Sequence, residues 1–510
     1  MDPEPTVSSV PPLGDPSTAA PPEEPAVDVV GLQRRARRGI AALVVRTLIM
    51  QLIVFGGDVY LRRRLEPADF GLYAIVQFAL GIFLQFGDVG FASALIRQQA
   101  QPSRRELSSA WSVQMLVALS ITLVLWLGAP LMLDFYPDMS PDGVWVLRAL
   151  SVDLLLSSGR LLPSLMMERE LEYGRLSALD VIMSLSYYVT AVVLARSGHG
   201  VMSLAYAVLA RGVCGIVAAH LLRPFRPSLV LDVALIRPIM HFGLRFQLKS
   251  IVGFLCTALA PVYGGRVLGQ AQLGFLNMGQ QTANFPLRLV DVMARVSFPL
   301  FSRLQGNPKA FAKTLERGVM VSAMGVLFYV GLAVGLGPNL IQVVFGPKWL
   351  PALPLFYVYA VAGAIGFVHP VVAPAIDALG KPGLNLKLMI SWTIAMAVLI
   401  AIMTPRWGTL GFAIAFCIPV VLGNAVVLVI MKRLVPDSRF WPRTRALILG
   451  CLSVMALGHF ALGPVCNGPV SFGLGVLASA AVFMGVVVLL DRSAITDIQS
   501  LLRKKAPVAE

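Results

Sequence analysis

Asn277-Met278-Gly279-Gln280-Gln281-Thr282-Ala283-Asn284-Phe285-Pro286-Leu287-Arg288-Leu289-Val290-Asp291-Val292-Met293-Ala294-Arg295 is the stretch from which the rest of the chain is read. Asn277, Gln281, Asn284, Arg288, Asp291 and Arg295 recur at alternating steps of four and three, a period that places them on one helical face. Leu276, Phe285, Leu287, Leu289, Val290 and Met293 fill much of the rest. Eighteen steps rise roughly 27 Å, about the thickness of a bilayer core. The expectation is a membrane-spanning helix with a polar stripe from end to end. Charge at membrane depth is costly, so it faces a water-filled cavity or another charge. The plainer alternative is a set of internally satisfied ion pairs that only hold helices together.

Composition agrees with a membrane setting. Of 510 residues, 57% are hydrophobic and 14% charged, and mean hydropathy is +0.76. These values place the chain outside the soluble class. A net charge of +15 would suggest nucleic acid on a soluble domain; on a membrane protein the cytoplasmic excess of Lys and Arg explains it. Cys214, Cys256, Cys417, Cys451 and Cys466 form no CxxC pair, so they read as buried small hydrophobes, and neither a metal nor another cofactor is expected. No GxxxxGK[ST] loop is present, which excludes a fused P-loop ATPase.

Residues 1–39 read as a Pro-rich, acidic, disordered tail ending in a basic segment, Arg34, Arg35, Arg37 and Arg38. Apolar spans are expected near 40–61, 71–95, 109–133, 144–163, 177–195, 200–222, 238–264, 271–299, 318–337, 352–376, 384–403, 409–431, 446–463 and 470–490. With the N-terminus inside, inner segments carry 27 Lys or Arg, counting Lys387 at the inner edge of its span, and outer loops 7, which sets the orientation and leaves both termini in the cytoplasm. Arg62-Arg63-Arg64 runs against that bias.

A shift of 203 residues superposes Leu52, Val59, Tyr60, Arg63, Leu65, Ala68, Gly71, Asp88 and Val89 on identical residues Leu255, Val262, Tyr263, Arg266, Leu268, Ala271, Gly274, Asp291 and Val292. Arg46 falls on Lys249. The expected organisation is an N-lobe over 40–235, a C-lobe over 236–440, and a terminal pair of spans with a cytoplasmic tail over 441–510. Two parallel repeats place a binding site at the lobe interface near the midplane. The repeat suggests two ion pairs or coupling sites, Arg46–Asp88 and Lys249–Asp291, since buried charge demands a partner. Arg245 shares a helical face with His241 and Lys249. Arg245, Arg288 and Arg295 are then left for a polyanion, because the guanidinium fork matches phosphate. Asn277, Gln281 and Asn284 suit sugar hydroxyls.

Leu65-Glu66-Pro67-Ala68-Asp69-Phe70-Gly71-Leu72-Tyr73, Phe86-Gly87-Asp88-Val89-Gly90, Ala94-Leu95-Ile96-Arg97 and Glu168-Arg169-Glu170-Leu171-Glu172-Tyr173 resemble Wzx-type polysaccharide flippases of the multidrug/oligosaccharidyl-lipid/polysaccharide exporter superfamily. The similarity runs from about residue 31. The resemblance implies an all-α fold of fourteen helices, two six-helix lobes around a cationic cavity plus a terminal pair. It implies transfer of an undecaprenyl-diphosphate-linked oligosaccharide across the bacterial inner membrane for exopolysaccharide, capsule or O-antigen assembly, with membrane lipid, a polymerase and export machinery as partners. A lipid II flippase and a cation-coupled drug exporter share that architecture. The exporter fits an Arg-rich stripe poorly, and no nucleophile–base pair suggests an enzyme.

Overall fold

The computed structural model describes residues 50–87, 102–170, 172–225, 228–232, 258–436 and 441–491. The chain divides into two units, Met1–Leu52 and Ile53–Glu510, and the packed helices with their cavities belong to the second. Among the described residues every regular element is helical. The long helices are α1 (described over 50–64), α2 (Pro67–Gly87), α3 (Arg104–Gly128), α4 (Asp142–Arg169), α5 (Tyr173–Arg196), α6 (Met202–Leu222), α7 (Gln270–Ala283), α8 (Leu287–Arg303), α9 (Pro308–Gly335), α10 (Leu353–Gly366), α11 (Val368–Ala378), α12 (Pro382–Leu434), α13 (Trp441–Leu457) and α14 (Pro469–Leu490).

Eight helical stretches among the described residues are long and apolar enough to cross a membrane. Their outward faces agree. Leu116, Leu119, Leu123 and Leu127 on α3, Ile182, Leu185, Val189 and Val193 on α5, and Ile390, Ile394, Val398 and Ile402 on α12 are all exposed. Apolar stripes at helical period with nothing over them are lipid-facing surfaces. This is a multi-pass membrane protein. At 53 residues α12 would run roughly 80 Å if straight, far beyond one bilayer. It is kinked at Gly408, whose φ of 57° and ψ of −138° suit glycine, so it comprises two helices.

Two charges inside α4, Arg148 and Asp153, are answered within the protein. Asp153 pairs with Arg211 of α6 at 2.8 Å, and Gly212 lets the helices approach, since a Cβ there would lie 2.6 Å from an Asp153 oxygen. Arg148 lies over the rings of Trp126 and Trp145 and donates from Nε to the Trp126 carbonyl.

The α2–α7 crossing joins the two sequence repeats. A Cβ on Gly71 would sit 1.8 Å from the Gln270 carbonyl oxygen, and one on Gly274 would sit 1.9 Å from the Pro67 carbonyl oxygen. The 203-residue shift takes Gly71 to Gly274 and Pro67 to Gln270. The contact is therefore reciprocal, each repeat presenting the same glycine to the same carbonyl of the other. Around it, Leu72, Ile75 and Leu147 share a core with Leu273, Trp349 and Phe412.

One expectation is corrected. Residues 277–295 do not form a single helix. α7 ends at Ala283, a turn follows at 284–286, and α8 begins at Leu287. Pro286 has no N–H to give the Thr282 carbonyl four residues back. The Tyr329 hydroxyl donates to that carbonyl instead, at 2.6 Å. The four-and-three spacing therefore does not carry one continuous face past Pro286.

Candidate functional site

α1 brings Asp58, Leu61 and Arg62 to a cavity of about 330 Å³, walled also by Phe70, Tyr73, Ala74 and Gln77 of α2, Tyr187 of α5, Leu204 of α6, and Asn277 and Gln281 of α7. The helical step of four sets Asp58 and Arg62 on one face of α1. Likewise Phe70, Tyr73, Ala74 and Gln77 share a face of α2, and Asn277 and Gln281 a face of α7.

Arg62 is the central group. It is only 6% exposed. Its Nη2 donates to Gln281 Oε1 at 3.0 Å, and its guanidinium lies 5.0 Å from the Phe70 ring centre, 5.3 Å from Trp349 and 5.8 Å from Phe345. Three rings supply much of what water would have supplied to the cation. Nη1 is buried with no hydrogen-bond partner, an expensive state for a charged donor. Asp58 accepts from the Tyr188 hydroxyl at 3.1 Å. Gln77 Nε2 donates to the Tyr73 hydroxyl at 2.7 Å, and Tyr187 stands across the same cavity. The Tyr187 ring lies 6.0 Å from Arg211, so the lining is continuous with the Asp153–Arg211 pair. Asn277 has no side-chain hydrogen bond among the described residues.

Beside the cavity, side chains of one sequence repeat bond backbone carbonyls of the other. Trp349 Nε1 donates to the Arg62 carbonyl at 2.8 Å. Arg63 Nε donates to Val344 O at 2.8 Å and its Nη2 to Val343 O, at the end of the helical turn Ile341–Phe345. Lys348 Nζ donates to Leu65 O at 2.5 Å. Gln270 Nε2 donates to Asp138 O at 2.7 Å, and the Tyr136 hydroxyl to Pro261 O at 3.2 Å. Arg64 lies over the Tyr60 ring. The arginine triplet that breaks the loop-charge bias thus has a physical explanation: each member is held by rings or carbonyls.

Of the residues singled out from sequence, Asn277 and Gln281 line this cavity. Arg288 is exposed and close enough to Asp58, Arg62 and Tyr188 to act on them electrostatically. Asn284 lies at the turn after α7 and is not in the lining. Asp291 and Arg295 belong to α8, but their side chains lie outside the described set. Arg46, Asp88, Arg245 and Lys249 lie outside the described residues. Asp58, Arg62, Tyr73, Gln77 and Tyr187 were missed. An acid and a base four apart at the end of the first span were the available signal. A second cavity, lined by Tyr357, Val361, Cys417, Val421 and neighbours, is almost wholly apolar and offers little to a charged head group.

Residues 60–354, more than half the chain, match the polysaccharide biosynthesis protein family. The chain belongs to that family. Its relatives include the teichuronic acid biosynthesis protein TuaB of Bacillus subtilis (strain 168), 26% identical over 54% of this chain and 58% of TuaB. The lipopolysaccharide biosynthesis protein WzxC of Escherichia coli (strain K12) is 23% identical over 74% of this chain and 77% of WzxC. The succinoglycan biosynthesis transport protein ExoT of Rhizobium meliloti (strain 1021) is 21% identical over 88% of this chain and 92% of ExoT. In fold the chain resembles the lipid II flippase MurJ in an inward closed conformation, with a TM-score of 0.67 at 12% identity, covering 91% of this chain and 100% of MurJ. An inward-facing MATE multidrug transporter follows, with a TM-score of 0.63 at 15% identity, covering 78% of this chain and 98% of that one.

Proposed function

We propose that this polysaccharide biosynthesis protein moves an undecaprenyl-diphosphate-linked oligosaccharide across the bacterial inner membrane, for exopolysaccharide, capsule or O-antigen assembly. The observation that carries the reading is the polar cavity around Arg62, Asn277 and Gln281, which draws lining from both sequence repeats. A lipid-linked saccharide needs such a path: hydroxyls require amides and phenols, while the polyprenyl chain stays in lipid. Relatives concerned with teichuronic acid, lipopolysaccharide and succinoglycan support the substrate class. A cationic drug would meet a buried arginine, so the exporter reading gains nothing from this lining. The likeness to MurJ rests on fold.

In this reading the chain has fourteen spans, an N-lobe over 40–235, a C-lobe over 236–440, a terminal pair beyond, and both termini in the cytoplasm. Arg245, Arg288 and Arg295 meet the diphosphate; Asn277, Gln281 and Asn284 serve the sugar. Arg46–Asp88 and Lys249–Asp291 are ion pairs or coupling sites. The end near Arg63 is the periplasmic end, and rocking of the repeats opens it. The test is complementation of a strain that lacks its own lipid-linked oligosaccharide exporter, scored by surface polysaccharide. Restored export is expected, with Arg288→Ala defective and Arg288→Lys intermediate because charge survives without the bidentate fork. No export from protein abundant in the membrane would overturn the reading.

A further inference from the structure

The geometry points to a narrower assignment, which rests on the function proposed above: the cavity is a subsite for one acidic sugar ring, with the ring's carboxylate received by Arg62. Size comes first. About 330 Å³ is at the small end of ligand pockets, so the site takes a single ring and not a whole repeat unit. Its lining has the mixed donors and acceptors that ring hydroxyls require: Asn277, whose amide has no side-chain hydrogen bond among the described residues, with Gln77 and Tyr73 beside it. Phe70 supplies an aromatic face.

Charge decides the rest. Arg62 Nη2 is taken by Gln281, while Nη1 is buried and unpartnered. That leaves a donor for one anionic oxygen. A hydroxyl could accept from Nη1, but a carboxylate does so with charge assistance, about twice as strongly. A diphosphate fits poorly. Asp58 lies in the same lining and repels added negative charge, so a group with two or more charges would be under-compensated there. One carboxylate is balanced by Arg62, with Arg288 close enough to act on both Asp58 and Arg62. The Arg62 carbonyl is also held by Trp349, which fixes the arginine backbone where the ring would arrive.

The test uses the full chain in nanodiscs, with methyl glucuronide, methyl glucoside and inorganic pyrophosphate as probes in titration and saturation-transfer experiments. Methyl glucuronide should bind about tenfold or more tightly than methyl glucoside, the worth of one charge-assisted hydrogen bond. Arg62→Gln should abolish that preference. If Arg62→Gln does not accumulate, Asn277→Asp serves: added negative charge should weaken glucuronide binding much more than glucoside binding, and so remove the preference. Equal binding of the two sugars, binding of neither, or a preference that survives both substitutions would overturn the assignment. So would displacement of glucuronide by pyrophosphate, which would give Arg62 to the carrier's diphosphate. Failure of the flippase reading is distinguishable, because it appears as absent export by the unaltered chain.

Discussion

Asp153 and Arg211 show how single residues decide what an apolar span can tolerate. Their ion pair is partly buried, with the Arg211 side chain 34% exposed and that of Asp153 10%. Breaking a fully buried pair costs roughly 3–5 kcal/mol, because the survivor is left charged and unpartnered; partial exposure of Arg211 brings the expected cost below that range. Asp153→Ala should therefore lower the melting temperature of the detergent-solubilised protein. The double change Asp153→Leu with Arg211→Met should recover most of the loss, since well-packed apolar pairs often replace buried ion pairs without harm. A double variant no more stable than Asp153→Ala would show that the pair does more than satisfy itself. The same logic separates Arg62 from its neighbours. Arg63 and Lys348 spend their donors on backbone carbonyls, whereas Arg62 keeps one in reserve.

Among the helices, period and apolar run length place α3, α5, α6 and α14 close to the expected stretches. The same method overran at Pro286. A proline inside a long apolar run was visible, but the four-and-three spacing of polar residues outweighed it. What sequence could not show was Tyr329, 47 positions beyond Thr282, whose hydroxyl takes the role of the missing N–H. Tyr329→Phe should loosen the turn between α7 and α8 by roughly 0.5–1.5 kcal/mol, the net worth of one hydrogen bond, because the Phe285 N–H still reaches that carbonyl at 3.3 Å; the readout is faster amide exchange over 282–290. Unchanged exchange would mean that water or the Phe285 N–H suffices. The α2–α7 crossing is more demanding. Gly71→Ala and Gly274→Ala each press a methyl into a carbonyl at under 2 Å, so the helices must separate. Overpacking of this kind costs typically about 1–3 kcal/mol. Both variants should lose similar stability, and the double should lose less than the sum because one separation relieves both clashes. Full additivity would deny that the two glycines share a crossing.

At the scale of the molecule, much of the candidate site was illegible because it is assembled across more than two hundred residues. Asn277 and Gln281 stood out by spacing. Asp58 and Arg62 did not, since Arg62 reads as loop and the 203-residue shift takes Asp58 to Pro261 and not to another charge. Nothing in the local sequence of Arg62 announces Phe345 or Trp349, which cage it from 283 and 287 residues away. Hydropathy reports burial, but not which distant ring lies over which cation.

The bonds beside that cage bear on movement. Arg63 and Lys348 hold residues 62–66 against 343–348 through carbonyl groups, and Lys348 also reaches Glu66 at 3.4 Å. These bonds join the two sequence repeats beside the cavity. A transporter that alternates must break them in each cycle, so they cannot be too strong; individually such bonds to charged donors are worth about 1.5–3 kcal/mol. Removing them should shift the population toward the state open at the end near Arg63, since an equilibrium moves by the differential free energy between its states. The measurement is labelling of Asn277→Cys, in a background free of other cysteines, by a membrane-impermeant thiol reagent in oriented vesicles. Adding Arg63→Ala and Lys348→Ala together should accelerate labelling from the face bearing residues 62–66 by about tenfold or more, and slow it from the opposite face. Acceleration from both faces would indicate a loosened fold in place of a moved gate. No change from either would show that the glycine crossing, and not the basic side chains, keeps that end shut.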